Sequence, residues 1–150
     1  MSKHKIIVDK GPTSSEILKK ATLKVTPARV EVLKLLTKVK KPLAIDEIID
    51  RLKLKTVDKV TVYRTMKKLT DSNVVREVEL RHGHAHYEIN DKAHDHHHLV
   101  CVRCGRVEDF VGCNFEKASR EALQQVSSFK TILQHSMELF GVCRECSRLK

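Results

Sequence analysis

The chain has no tryptophan, and aromatic residues make up only 4% of its 150 positions. A core built from this sequence must therefore be aliphatic, drawn from Leu, Ile and Val. No apolar run approaches the roughly 18 residues that cross a bilayer, so no membrane partner is expected. The stretch MSKHKIIVDKGPTSSE offers only Ile6 to Val8 as an apolar centre. That is too short for the central region of a secretory signal, so the expected location is the cytoplasm. Disulfides are rare there, and paired cysteines are expected to hold metal instead. Acidic residues are also in the minority, and 19 of them against 29 Lys and Arg leave a net charge of +10. That sign attracts nucleic acid, although a basic surface with no specific partner carries the same total.

At this length one domain or two very small ones are expected. Residues 1–13 read as a flexible arm punctuated by Gly11-Pro12. A short helix is expected from Ser14 or Ser15 to Ala21. In LKVTPARVEVLKLLTKV, Thr26 is a good N-cap and Pro27 suits the first helical position, where its missing N–H costs nothing. Val30, Leu33, Leu36 and Val39 then recur at helical spacing, and Lys40-Lys41-Pro42 ends the helix.

IDEIIDRLKLK is the next helix, and after a turn near Thr56 to Asp58 comes KVTVYRTMKKLTDSNVV. Val60, Val62, Met66 and Leu69 are expected to face the core. Thr61, Arg64, Lys67 and Lys68 are left outward, with Tyr63 at the boundary. Two helices joined by a tight turn, the second basic, match the helix-turn-helix pattern. VVREVELRH and HAHYEIN alternate at period two around His82-Gly83, as the strands of a wing would.

The second half changes character. LVCV and RVEDFVG flank a Cys-x-x-Cys as short strands, NFEKASREALQQVSS is helical, and TILQHSMELFGVC is strand-like. No internal repeat is present. The expected fold class is α+β: an N-terminal winged helix-turn-helix over 14–90, a hinge over 91–97, and a small α/β domain with a structural zinc over 98–150.

Cys101-x-x-Cys104 and Cys143-x-x-Cys146 supply four thiolates from two chain turns, which suits a closed tetrahedral zinc. Such an ion would pin a C-terminus that otherwise frays. Cys113 lacks a paired partner in the sequence and reads as a small semi-buried filler. Seven of the nine histidines fall between His82 and His98. Strand alternation turns His96 and His98 to one side and Asp95 and His97 to the other, so one segment can feed two metal sites. A metal-buffering protein would use the same histidines. A zinc deaminase would use His86-x-Glu88 with one cysteine pair, but Val100 stands where its proline precedes the first Cys, and the second pair would have no role.

Taken together, LKVTPAR, VTVYRTMKKL, the histidine run into LVCVRCG, the strand with His135 and the terminal CREC resemble the ferric uptake regulator family over roughly residues 15–146. The resemblance implies a transcriptional repressor and no enzyme. It implies a winged-helix domain, a dimerisation domain, and operator DNA and a second copy as partners, with no small-molecule substrate. It puts the structural Zn2+ on Cys101, Cys104, Cys143 and Cys146. It puts a hinge sensing set on Glu88, His96 and His98. The family's further histidine at the start of the helix-turn-helix is missing from KKPLAIDE. His86 is the favoured substitute, with His84 and His82 as alternatives. A second site falls on Asp95, His97, Glu116 and His135, its Asp and His in swapped order. DNA contacts fall on Lys24, Thr61, Tyr63 and Arg64. Zinc sensors of the family often place a Cys in the hinge, and residues 82–98 contain none. Regulatory Fe2+ is therefore the first expectation and Zn2+ the second, with Mn2+, Ni2+ and peroxide sensing behind.

Overall fold

The computed structural model describes residues 11–52, 58–91 and 96–148. It forms two compact units, one of Met1–Val78 with Gly83–Asn90, the other of Glu79–His82 with Asp91–Lys150.

In the first unit, Thr13 caps helix α1 (Ser14–Lys20). Its hydroxyl accepts the Glu16 N–H while the Glu16 carboxylate accepts the Thr13 N–H, which satisfies two otherwise orphan donors. Thr26 caps α2 (Pro27–Val39) with Pro27 at its start, as the sequence predicts. That helix stops at Lys40, whose φ of 53° lies in the left-handed region and turns the chain toward Pro42. Strand β1 (Leu43–Ala44), helix α3 (Ile45–Leu52) and helix α4 (Lys59–Asp71) follow. The Asp58 carboxylate caps α4 by accepting the Thr61 N–H at 2.7 Å.

The expected wing forms as β2 (Val75–Val78) and β3 (His86–Ile89), an antiparallel pair with Val75 opposite Ile89 and Val78 opposite His86. β1 joins its other edge, giving the order β1-β3-β2. Leu18, Leu33, Leu36, Leu43, Ile48, Val62, Met66 and Leu69 close an aliphatic core among these elements. Val60 corrects the sequence expectation, for it is 55% exposed. Two positions before Val62 is about 200° around a helix, so Val60 points away from the face that Val62, Met66 and Leu69 share.

In the second unit, β4 (His97–Cys101) is central, with β5 (Val107–Phe110) antiparallel on one side and β6 (Glu138–Gly141) parallel on the other. Helix α5 (Phe115–Gln125) crosses between β5 and β6, and α6 (Arg144–Arg148) ends the described chain. The Arg81 guanidinium lies 4.0 Å over the Phe140 ring. The strand expected around His135 is shorter than the sequence suggested. Only Glu138–Gly141 pair with β4, and His135 lies in the irregular segment before them. Few apolar side chains are buried in this unit, and α5 has none.

Candidate functional site

The turn between β4 and β5 carries Cys101 and Cys104. Gly105, at φ +72°, donates its N–H to the Cys101 carbonyl and closes that turn. Cys143 lies in the turn from β6 into α6, and Cys146 in α6 itself. Parallel pairing of β4 with β6 sets Cys101 opposite Gly141, which brings the two turns to the same end of the sheet. The four sulfurs all lie within 4.8 Å of one another. Cys104 Sγ and Cys143 Sγ are 3.8 Å apart. A tetrahedron with arms of about 2.3 Å has an edge of about 3.8 Å, so this separation is the one zinc asks for. None of the five cysteines is paired in a disulfide.

Around the sulfurs the backbone is already arranged for negative charge. The Cys143 N–H donates to Cys101 Sγ at 3.3 Å, and the Cys146 N–H to Cys143 Sγ at 3.5 Å. Backbone donors from Cys143 and Cys104 draw the Cys101 thiol down to about 6. Cys146 is pushed up to about 12, first by its hydrogen bonds with the Cys143 and Cys104 sulfurs and then by burial. A cluster that holds one thiolate easily and resists the next is what crowded acids become without a cation. Arg106 and Glu145 pair at 2.6 Å, and Arg103 donates to the Cys146 carbonyl at 2.7 Å, so the two turns are also tied from outside.

A second cluster lies elsewhere in the same unit. His97 Nε2 and His135 Nε2 are 3.3 Å apart, and Cys113 Sγ lies within 4.8 Å of both imidazoles. The Phe115 ring stacks on His135 at 4.5 Å, and Phe110 flanks His97 at 5.5 Å. Of the four residues expected to make the second site, His97 and His135 are thus brought together. Glu116 is not in this cluster, and Asp95 lies outside the described residues. Cys113 is partly buried, as expected of a small filler, but it also stands in this cluster, which no spacing among its chain neighbours foretells. An odd cysteine beside two metal-type motifs was the available signal.

The residues expected for sensing divide between the units. In the first, His86 and Glu88 are both buried and share one face of β3, His84 packs on His86 at 4.6 Å, and Glu88 pairs with Arg76 at 2.6 Å. In the second, His96 and His98 lie on one side of β4 with ring centres 5.2 Å apart. His98 is only 1% exposed, and its Nε2 is 3.7 Å from the Asp109 carboxylate. His82 packs beside Gly105 in that unit.

On α4, Tyr63 is 49% exposed, which removes it from the core, and Arg64 is exposed beside it. A shallow groove between the start of α2 and α4 is lined by Thr26, Arg29, Thr61, Arg64 and Lys68. Lys24 is exposed just before α2, and its carbonyl accepts from Arg29 at 2.7 Å. Among the described residues, no helix is long and apolar enough to cross a membrane.

The model of the ferric uptake regulator family matches residues 20–140. The ferric uptake regulation protein of Legionella pneumophila is 33% identical over 88% of this chain and 97% of its own length. The peroxide-responsive repressor PerR of Staphylococcus epidermidis is 29% identical over 86% of this chain and 85% of its own. Among solved structures, the Helicobacter pylori ferric uptake regulator, described as having three functional metal binding sites, superposes with a TM-score of 0.70. It is 27% identical, with 87% of this chain and 86% of that one covered.

Proposed function

The chain belongs to the ferric uptake regulator family of metal-responsive repressors, and on that premise we propose how its residues divide the work. Cys101, Cys104, Cys143 and Cys146 hold a structural Zn2+. The convergence of their sulfurs, with the 3.8 Å Cys104–Cys143 separation, is the observation that carries this assignment. A closed four-thiolate set leaves no open position for water, which suits a brace and disfavours the deaminase reading. The brace matters because the second unit buries few apolar side chains.

His86, Glu88, His96 and His98 bind the sensed metal, with Fe2+ first and Zn2+ or Mn2+ behind. The burial of His86, Glu88 and His98 supports the assignment, since the fold holds these imidazole and carboxylate donors out of bulk water. A nitrogen and oxygen donor set of this kind suits first-row divalent ions. A bound ion would supply positive charge to offset the Glu88 carboxylate. The residues themselves do the selecting, and Arg76 fixes the position of the Glu88 carboxylate by donating to it at 2.6 Å.

The DNA-binding part is the winged helix over 14–90, with residues 91–97 as hinge and 98–150 as the dimerisation part. Tyr63 and Arg64 on α4 read bases or phosphate, and Thr61 and Lys24 hold the backbone. The exposure of Lys24, Tyr63 and Arg64, on a chain of net charge +10, supports this. The second copy covers the apolar surface of the second unit. Leu99 and Leu139 are paired across β4 and β6 and exposed on one face, and α5 leaves Ala118 and Ala122 uncovered. A repressor working in this way resides in the cytoplasm.

Selection of bound duplexes from a random pool, with Fe2+ and then with chelator, tests the reading. Enrichment of one inverted repeat with metal alone is expected. Enrichment of the same sequences with chelator removes the sensing role.

A further inference from the structure

We propose that Cys113 is a metal ligand, and that His97, Cys113 and His135 form a nitrogen–nitrogen–sulfur site for a thiophilic divalent cation of the Zn2+ and Co2+ class. The proposal deepens the second-site assignment and rests on His97 and His135 being ligands there.

Three observations carry it. The two Nε2 atoms lie 3.3 Å apart. Two zinc–nitrogen arms of about 2.05 Å at the tetrahedral angle have ends about 3.3 Å apart, so the pair is set at a coordination edge. A thiol sulfur falls within 4.8 Å of both. The local structure then fixes all three donors. His97 is held by β4 pairing and is 4% exposed. His135 is clamped by the Phe115 ring, one residue past the Asn114 that caps α5. Cys113 is delivered by the turn between β5 and α5, immediately after Gly112, whose φ of +124° other residues rarely adopt.

The donor chemistry separates this cluster from the sensing set. Imidazole and carboxylate accommodate Fe2+ and Mn2+, whereas a thiolate shifts preference toward zinc and its cobalt surrogate. The cluster is also distinct from the four-cysteine set, since none of its residues belongs to that set. The chain would thus carry a thiolate site in addition to its structural zinc.

Full-length protein carrying one structural zinc per chain is titrated with Co2+, following the near-ultraviolet sulfur-to-cobalt charge-transfer band while zinc content is monitored. The sensing set has no sulfur and contributes nothing to that band. The expected result is a charge-transfer band that saturates at one further cobalt per chain, with the zinc retained. Cys113→Ser should lose the band and weaken binding at this site by at least about tenfold, the lower end of what even outer-shell changes cost. Cys113→Asp should restore binding without the band, which guards against a merely unfolded variant. If cobalt binds at His97 and His135 with no charge-transfer band, and Cys113→Ser behaves as the parent, Cys113 is not a ligand and the two-histidine site stands. If no cobalt is taken up that His135→Ala abolishes, the second-site reading falls as well. Neither failure touches the metal-dependent selection of DNA.

Discussion

Cys104 Sγ and Cys143 Sγ lie 3.8 Å apart although 39 positions separate them in the chain. Deep burial does not hold them there, since Cys104 is exposed and Cys143 only partly buried. What brings them together is the parallel pairing of β4 with β6, and what would keep them together is a cation. Cys104→Ser or Cys143→Ser should therefore drop zinc content toward zero. The second unit should lose its cooperative unfolding transition, because a structural zinc contributes about 10–16 kcal/mol in small zinc domains and a whole domain nets only about 5–15 kcal/mol. Zinc analysis and near-ultraviolet circular dichroism on each variant check this. A well-folded variant without zinc would mean that the ion is not a brace.

Acid should strip the zinc. Without metal, Cys101 sits at about 6 and Cys146 at about 12, against an ordinary thiol at 9. Folding favours the Cys101 thiolate, a contribution that is complete above pH 9 and lost as pH falls through 6. Folding favours the protonated form of Cys146, which is complete below pH 9 and lost as pH rises through 12. Zinc must displace the proton that Cys146 holds, so apparent affinity should rise with pH between 6 and 9 with proton release. Competition with a chelator at several pH values, and calorimetry in buffers of different ionisation heat, measure both. Affinity independent of pH would contradict four-thiolate binding.

His96→Ala and His98→Ala should each abolish metal-stimulated DNA binding while leaving the dimer and its zinc intact. Sedimentation, zinc content and an electrophoretic shift assay separate these effects. His86→Ala should match them if His86 replaces the family's missing hinge ligand. If His84→Ala or His82→Ala matches instead, the substitute is that residue.

Tyr63→Ala and Arg64→Ala change exposed side chains on α4, so stability should move by less than about 0.5 kcal/mol. DNA affinity should fall by about 1–3 kcal/mol for a base contact. A phosphate contact instead weakens all duplexes alike and lowers the salt slope by about one. Affinity of the parent at several salt concentrations, compared with each variant, assigns each residue to one class.

Much of this was legible from local chemistry. Thr26 and Pro27 announce α2 because capping and proline placement are decided within four residues. The two Cys-x-x-Cys pairs announce a zinc set because each knuckle is itself local. Val60 misled because an apolar residue in the first turn of α4 carries no mark of which way it faces. The strand around His135 read too long because β6 is defined by its partner β4, 40 residues earlier, and only four positions find that partner. Cys113 was illegible for the same reason. Its neighbours in space come from β4 and from the segment before β6, and no spacing in the sequence connects them.

Control of DNA binding by metal is measured by a fluorescence anisotropy titration of the selected operator. Anaerobic zinc-braced protein is titrated with Fe2+, Mn2+ and Zn2+, each with a chelator control. The complex with the cognate metal should be about tenfold tighter or more, an effect reversed by chelator and absent in His98→Ala. Equal affinity with every metal and with chelator, in protein that keeps its structural zinc, would contradict it.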